Sequence, residues 1–398
     1  MKIDINRKNI TNIFIAIIIC ANPINWIFQI EQGLAFIIIF SFIIIALLNI
    51  KHLSKHIHLK VLIFILYLYA FFILSLIRSN FNQQSVIYLF QFTILGVLPI
   101  LVSTIPINYK KIYPFIILIG VLFIPFSFNF DYSHFYSIYL DDTWGFLMGV
   151  SYGLLRFAVA GIILLLLYPK QKGFLKLLSF FVICAVLFFL FQFGSRGAIL
   201  SFLLLFILLY VFKNNNQFNI KSISKLIYIG IIIIIVAIIF FYHIYPIFIE
   251  EGIKFTFIER TLLLIEENNL SSGRDLIARD TLNLILKRPL FGYGIGSFDN
   301  YSGLYPHNLF LSFLYEGGIL LCMPFIYLFI KSIEVIFSSK FEKDYRVFII
   351  FLFFSSVIEL LFSSQPWISQ MFWLYIGSII LSNKHKINHF TNEYSINS

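Results

Sequence analysis

The chain has 398 residues, of which 60% are hydrophobic and only 12% charged, and its mean hydropathy is +0.91. A soluble domain carries about half apolar and about a quarter charged residues, so the composition excludes an ordinary soluble enzyme and points to an all-α integral membrane protein. The net charge of +10 does not mark a nucleic-acid binder, because Lys and Arg lie in short stretches between apolar runs and not on one basic face.

Apolar runs of the length that crosses a hydrocarbon core, about 20 residues, fall at 10–28, 33–50, 61–77, 86–105, 112–128, 144–168, 177–193, 197–212, 226–246, 307–330, 347–363 and 370–382. They predict about twelve spans, the last of them short. No internal repeat is visible, and the runs are too long and too uniformly apolar for barrel strands. The first run lacks a small-residue cleavage site and leads into further spans, so it reads as an uncleaved helix and not as a removable signal. Cys20, Cys184 and Cys322 all fall inside apolar runs without paired spacing, which implies neither a disulfide framework nor a zinc site.

Basic residues occupy every second connection and both ends: Arg7 and Lys8, Lys51 to Lys60, Lys110 and Lys111, Lys170 to Lys176, Lys213 to Lys225, Lys331 to Arg346, and Lys384 with Lys386. By the positive-inside rule both termini are expected in the cytoplasm. The expected division is spans one to nine over 1–246, a large outer loop over 247–306, spans ten to twelve over 307–383, and a tail over 384–398. The turn Gly194-Ser195-Arg196-Gly197 is expected on the same outer face as the loop.

Polar chemistry is concentrated late in the chain. Ser272-Gly273-Arg274-Asp275 has the form of a helix start, with Ser272 as N-cap and Asp275 completing a variant of the capping box. It predicts an amphipathic helix over 272–288. Ile277, Ala278, Thr281, Leu284 and Ile285 form one stripe, and Asp275, Arg279, Asp280, Asn283 and Lys287 lie opposite. Such a helix is expected on the outer membrane surface. Arg274 breaks two local rules, since it falls on the apolar stripe and opposes the macrodipole in the first turn. Two readings stay open: an anion-binding arginine at a helix N-terminus, or a cation snorkelling at the lipid boundary. Arg279 has Asp275 one turn before it and reads as structural, with a contact to substrate as the alternative.

Arg196 stands in its glycine-flanked turn either as a ligand contact or as an interfacial anchor. Arg156 lies inside a span, where an unpaired charge is costly, and Glu316 and Glu359 are the intramembrane carboxylates that could pair with it. Arg78 reads as loop-borne. His307 follows Pro306 at the opening of an apolar helix, with Leu311, Leu314 and Gly318 on its face and Glu316 on the opposite one. It reads either as a general base for a hydroxyl or as a bland boundary histidine. No metal-ligand spacing, Walker loop, Rossmann fingerprint or Asp-x-Asp pair is present, so no metal and no cofactor are expected.

The ordered combination of these pieces resembles the bacterial O-antigen ligase and polymerase family. It consists of a loop arginine opening an amphipathic helix, then Arg288-Pro289-Leu290-Phe291-Gly292-Tyr293-Gly294, His307-Asn308, and Glu316-Gly317-Gly318-Ile319. The Gly-Ser-Arg-Gly turn and the plan of spans with one late outer loop fit the same family. The resemblance implies a C-type membrane glycosyltransferase that is metal-independent and inverting, with a glycan on undecaprenyl diphosphate as donor. Arg196 and Arg274 would hold the diphosphate, and His307 would deprotonate the acceptor hydroxyl. Arg156, Arg279, Asn308 and Glu316 would support them. A polymerase would extend a lipid-linked repeat unit, whereas a ligase would transfer the glycan to lipid A-core. The polymerase is the expectation, because 141–145 lacks the Arg-x-x-Gly and Pro-Asn pattern expected of ligases near the sixth span. A chain-length regulator and a flippase are the expected protein partners. A flippase for the same lipid-linked glycan is the alternative of a different class; it would favour internal repeats and helices broken at mid-membrane.

Overall fold

The computed structural model describes residues 7–28, 33–51, 58–78, 82–128, 143–193, 195–213, 243, 245–250, 258, 261, 264–266, 273–298, 306–362 and 365–387. Most of these residues are helical, and the β-geometry among them is a single isolated bridge between Phe341 and Lys386. Every expected apolar run coincides with helix except 226–246, which lies almost wholly outside the described residues. Among the described residues six helices are long and apolar enough to cross a membrane: Leu59–Arg78, Gln83–Val102, Met148–Leu167, Gly173–Phe193, Leu309–Phe337 and Lys343–Phe362. The first run is divided into Arg7–Ile19 and Ala21–Phe28.

Packing separates the chain into two compact units, Met1–Phe123 with Gly273–Ser398, and Ile124–Ser272. The boundary at 272/273 falls inside the expected outer loop. In the second unit the helix Thr143–Leu167 packs on both Gly173–Phe193 and Arg196–Lys213. Gly161 lets the first two of these helices approach closely, since a β-carbon there would sit 3.0 Å from Ile183 and 3.2 Å from the Ser179 carbonyl.

The first unit is built around the short helix Gln370–Ile380, buried along nearly its whole length. A helix apolar on every side is stable only when it is enclosed. Here the helices Leu309–Phe337 and Lys343–Leu352 and the π-helical turns Phe92–Val97 and Phe353–Val357 surround it. Trp367 and Trp373 are the largest fully buried side chains. Phe72 meets Trp367 edge-on at 4.9 Å, and Phe92 meets Trp373 in the same way at 4.9 Å.

One helix in this unit is broken. Leu309–Phe337 contains Gly318 at φ 66°, ψ −163°, far from helical geometry. In an unbroken helix the carbonyls of Tyr315 and Glu316 would accept from the amides of Ile319 and Leu320. The turn at 288–298 takes over both bonds. Tyr293 and Gly294 donate to the Tyr315 and Glu316 carbonyls, each at 2.8 Å, while Ile319 and Leu320 donate to the Pro289 and Leu290 carbonyls at 2.8 and 3.4 Å. Four orphaned backbone groups are thus paired away from water, as an apolar environment demands. Glycines make the approach feasible: a β-carbon on Gly292 would overlap the Tyr315 carbonyl, and one on Gly318 would overlap Leu290. Both have φ near +60°, a region glycine enters without cost.

Glu316 fastens the turn from the side. Its Oε1 accepts from the Gly296 amide at 2.9 Å and its Oε2 from the Trp367 indole at 2.7 Å. Ser75 accepts from the Ile295 amide, and Ser85 donates to the Ile295 carbonyl at 2.6 Å. Further along the broken helix, Pro324 has no N–H to give the Leu320 carbonyl, and the Tyr67 hydroxyl donates to that carbonyl instead.

Substituting at these contacts should cost stability without altering composition. Gly318→Ala combines overlap with a left-handed strain of about 1–3 kcal/mol, and Tyr67→Phe removes the hydroxyl donor of the exposed Leu320 carbonyl, a loss of about 0.5–1.5 kcal/mol. Both variants in detergent are expected to melt at lower temperature than the parent, with Gly318→Ala the lower. Unchanged melting of Gly318→Ala would remove the interlock as a stabilising element.

Candidate active site

His307 sits at the start of the broken helix but not in it. The sequence reading puts it in the first helical turn; the structure begins the helix at Leu309 and makes Asn308 its N-cap. The Asn308 Oδ1 accepts from the amides of Phe310 and Leu311 at 3.0 and 3.2 Å. Ser312 Oγ donates to the Asn308 carbonyl at 3.0 Å. Asn308 is therefore a positioning residue for the backbone, which explains why an asparagine follows the histidine. His307 has φ +53°, and among the described residues it is the non-glycine residue with a positive φ. Such a conformation in a half-buried histidine costs of order 1–3 kcal/mol and persists only where its surroundings enforce it. The face on which the sequence reading sets Leu311, Leu314 and Gly318 is filled by protein. Leu311 and Leu314 pack against Ile285, Phe298 and Tyr315, and Gly318 meets the turn.

The expected amphipathic helix is present as Arg274–Lys287, with Arg274 its first residue. Ser272, the expected cap, lies outside the described residues. The residue preceding the helix is Gly273 at φ 77°, and no side chain caps the helix. The stripe expected to face lipid packs on protein instead: Thr281 and Ile285 are buried, and Ile277 and Leu284 join Leu311 and Leu314 around one cluster. Burial against a neighbouring helix serves the same apolar demand as a membrane surface. Leu276, Leu282 and Leu286 remain exposed, so the helix keeps a second apolar edge. Asp275 and Arg279 are both exposed, one turn apart. The helix opened by Arg274 and the helix following His307 thus share a core, and the stacked rings of Tyr293 and Tyr315, 4.8 Å apart, tie both to the glycine turn. Arg288 lies over Tyr293 at 4.8 Å.

Arg196 and Arg156 belong to the other unit and are described within it. Arg196 is the first residue of the helix Arg196–Lys213. Ser195 Oγ accepts from the Ala198 amide at 3.4 Å in the manner of an N-cap. Arg156 is 1% exposed in the helix Thr143–Leu167. Arg196 and Arg274 therefore hold the same local position, the first residue of a helix, where backbone amides have no intrahelical acceptor.

Sequence reasoning missed two features. Arg78 is the last residue of the helix Leu59–Arg78, not part of a loop, and it donates to the Phe291 carbonyl at 3.3 Å. Beside it a cavity of about 260 Å³ is walled by Phe71, Leu74, Arg78 and Phe291, with Ser75, Gly294 and Glu316 also lining it. The contacts span more than two hundred positions, and no local pattern announces them. Among the described residues, no group of three or more His, Cys, Asp or Glu side chains is placed to hold a metal ion.

No curated protein and no solved structure matches the sequence. Residues 188–326 match the family model described as O-antigen ligase. The match spans Arg196, Arg274, the glycine turn, His307, Asn308 and Glu316. On that match the segment 188–326 is similar to the O-antigen ligase family.

Proposed function

We propose that the chain is an inner-membrane glycosyltransferase that transfers a glycan from undecaprenyl diphosphate to a sugar hydroxyl of a second lipid-linked repeat unit. The observation that carries this reading is the placement of three residues inside the matched segment. Arg196 and Arg274 each open a helix, and His307 is held in a strained backbone immediately before a third. A guanidinium at a helix N-terminus joins its paired donors to free amides, a combination suited to a diphosphate. In the proposed reaction the His307 imidazole takes the proton of the acceptor hydroxyl. The oxygen attacks the anomeric carbon, and the carbon–oxygen bond to the diphosphate breaks with inversion. The diphosphate leaves as an anion stabilised by the two arginines, so it needs no acid and no metal. The charge pattern of the loops supports an active site on the outer face with both termini in the cytoplasm.

The strained backbone permits a sharper test than alanine alone. Purified protein is assayed with lipid-linked donor and acceptor in the presence of chelator. His307→Gly is expected to melt no lower than the parent, because glycine relieves the positive φ, yet to lose a factor of about 10² to 10⁴ in transfer. Arg274→Ala should abolish transfer and Arg274→Lys restore it only in part, since a lysine cannot offer the planar fork. Asn308→Ala should lose about 1 kcal/mol of stability and Asn308→Asp much less, because aspartate also caps. Full transfer by His307→Gly excludes the imidazole as base, and loss of parent activity with chelator contradicts the metal-independent scheme.

A ligase is the second reading, favoured by the description of the matched family. Surface glycan from a strain lacking the protein separates the two. A single repeat on the core identifies a lost polymerase; bare core with long chains retained on the carrier identifies a lost ligase.

A further inference from the structure

The turn after the Arg274 helix pairs its backbone inward and presents apolar side chains outward. The amides from Gly292 to Gly296 all donate within the protein, to the carbonyls of Arg288, Tyr315 and Glu316, to Ser75 Oγ and to Glu316 Oε1. The carbonyls of Pro289, Leu290, Phe291 and Ile295 accept from Ile319, Leu320, Arg78 and Ser85. Yet Leu290 and Phe291 are 57% and 51% exposed, and Leu286, one turn earlier, is 76% exposed. A loop in water can leave such groups to the solvent. Paired backbone beneath bare apolar side chains is what a hydrocarbon environment requires.

The neighbouring helices fix the depth. Leu59–Arg78 has 20 residues, a length of about 30 Å that matches a hydrocarbon core. Its exposed apolar stripe runs from Leu62 through Leu66 and Ile73 to Ile77, and Leu309–Phe337 carries another from Ile319 through Met323 and Ile330 to Phe337. The Tyr67 hydroxyl reaches the Leu320 carbonyl. Tyr67 precedes Arg78 by eleven residues and Leu320 follows Leu309 by eleven, so each lies about 16 Å from its helix end and the two ends stand level. Leu290, bonded to the Leu320 amide, is then on the order of 10–15 Å below that level. Ile295, bonded to Ser75, is much nearer to it. Leu290 and Phe291 sit beside both stripes, at Ile319 and Leu320 on one side and at Leu74 and Arg78 on the other. We propose that the turn at 289–295 is re-entrant: it dips into one leaflet of the bilayer, with Leu290 and Phe291 against acyl chains. Lys287 and Arg288 flank the dip on stems long enough to reach the headgroups, and Arg288 lies over the Tyr293 ring at 4.8 Å. That leaflet is the outer one under the proposed orientation, but the depth does not rest on the proposed activity. Part of the expected outer loop 247–306 thus lies in the bilayer and moors the C-terminal end of the Arg274 helix there.

The test uses full-length protein in phosphatidylcholine nanodiscs, with Cys20, Cys184 and Cys322 replaced by alanine and one nitroxide attached at a new cysteine. Labels at Leu290→Cys and Phe291→Cys are expected to behave like one at Leu66→Cys, accessible to oxygen and shielded from an aqueous nickel chelate. A label at Arg279→Cys, exposed on the preceding helix, is expected to show the reverse. Nickel access at 290 and 291 equal to that at 279 overturns the proposal. Shielding of both positions from both probes also overturns it, because protein, such as a second copy of the chain, would then cover the face. A measurement with the native cysteines in place stands beside it. Leu290→Asp is expected to lower the melting temperature in nanodiscs by several degrees, whereas Asn283→Asp, at an exposed position one helix turn further from the dip, shifts it by no more than about one degree. Equal melting of these two variants would contradict re-entry.

Discussion

A helix that breaks in an apolar setting leaves amides and carbonyls that nothing in the surroundings can satisfy, and each costs free energy on the scale of a lost hydrogen bond. The break at Gly318 exposes two of each, and the turn from Pro289 to Gly294 supplies the complementary two and two. The exchange works in one register only. Shifting the turn by a residue would present a side chain where Gly292 and Gly318 leave none. The glycines, the break and the turn therefore have to occur together, and Glu316 adds charge-assisted bonds that hold the turn to the Trp367 core.

From that interlock the rest of the first unit follows. Tyr293 and Tyr315 stack across it, and their cluster receives the apolar stripe of the helix opened by Arg274. Seven residues before Tyr315, whose carbonyl takes the first turn-donated bond, Asn308 caps that helix directly after His307 with its positive φ. Strain at a single histidine is sustained when the segment beyond it cannot relax, and a helix secured at both its cap and its break meets that condition. The residues assigned to chemistry stand at helix starts, whereas the run of glycine and aromatic residues at 291–298 acts as frame.

The sequence made the class and most helix positions legible, because apolar runs and basic loops are properties of local composition. It also made Arg274 stand out, through two broken rules whose basis is the helix start later found at that residue. What it could not reveal were pairings across long separations. Gly318 reads as an open face for close packing, and the partner is a backbone segment some thirty positions earlier. The stripe of Ile277, Thr281 and Ile285 carries the same moment whether it meets lipid or another helix. Arg78 reads as loop-borne in the sequence, since nothing near it in the chain foretells Phe291. The sequence reading sets His307 two residues too far into the helix because proline before it suits a helix start, while the capping bonds that settle the matter belong to Asn308.

Amide hydrogen exchange of the intact protein in detergent tests the interlock directly. If the turn completes the broken helix, amides of Tyr293, Gly294, Gly296 and Ile319 exchange as slowly as those of the flanking helices, and Glu316→Ala speeds them together. Exchange of these amides at the rate of an open loop in the parent protein would contradict the account, because the frame that positions His307 and the Arg274 helix would then not exist.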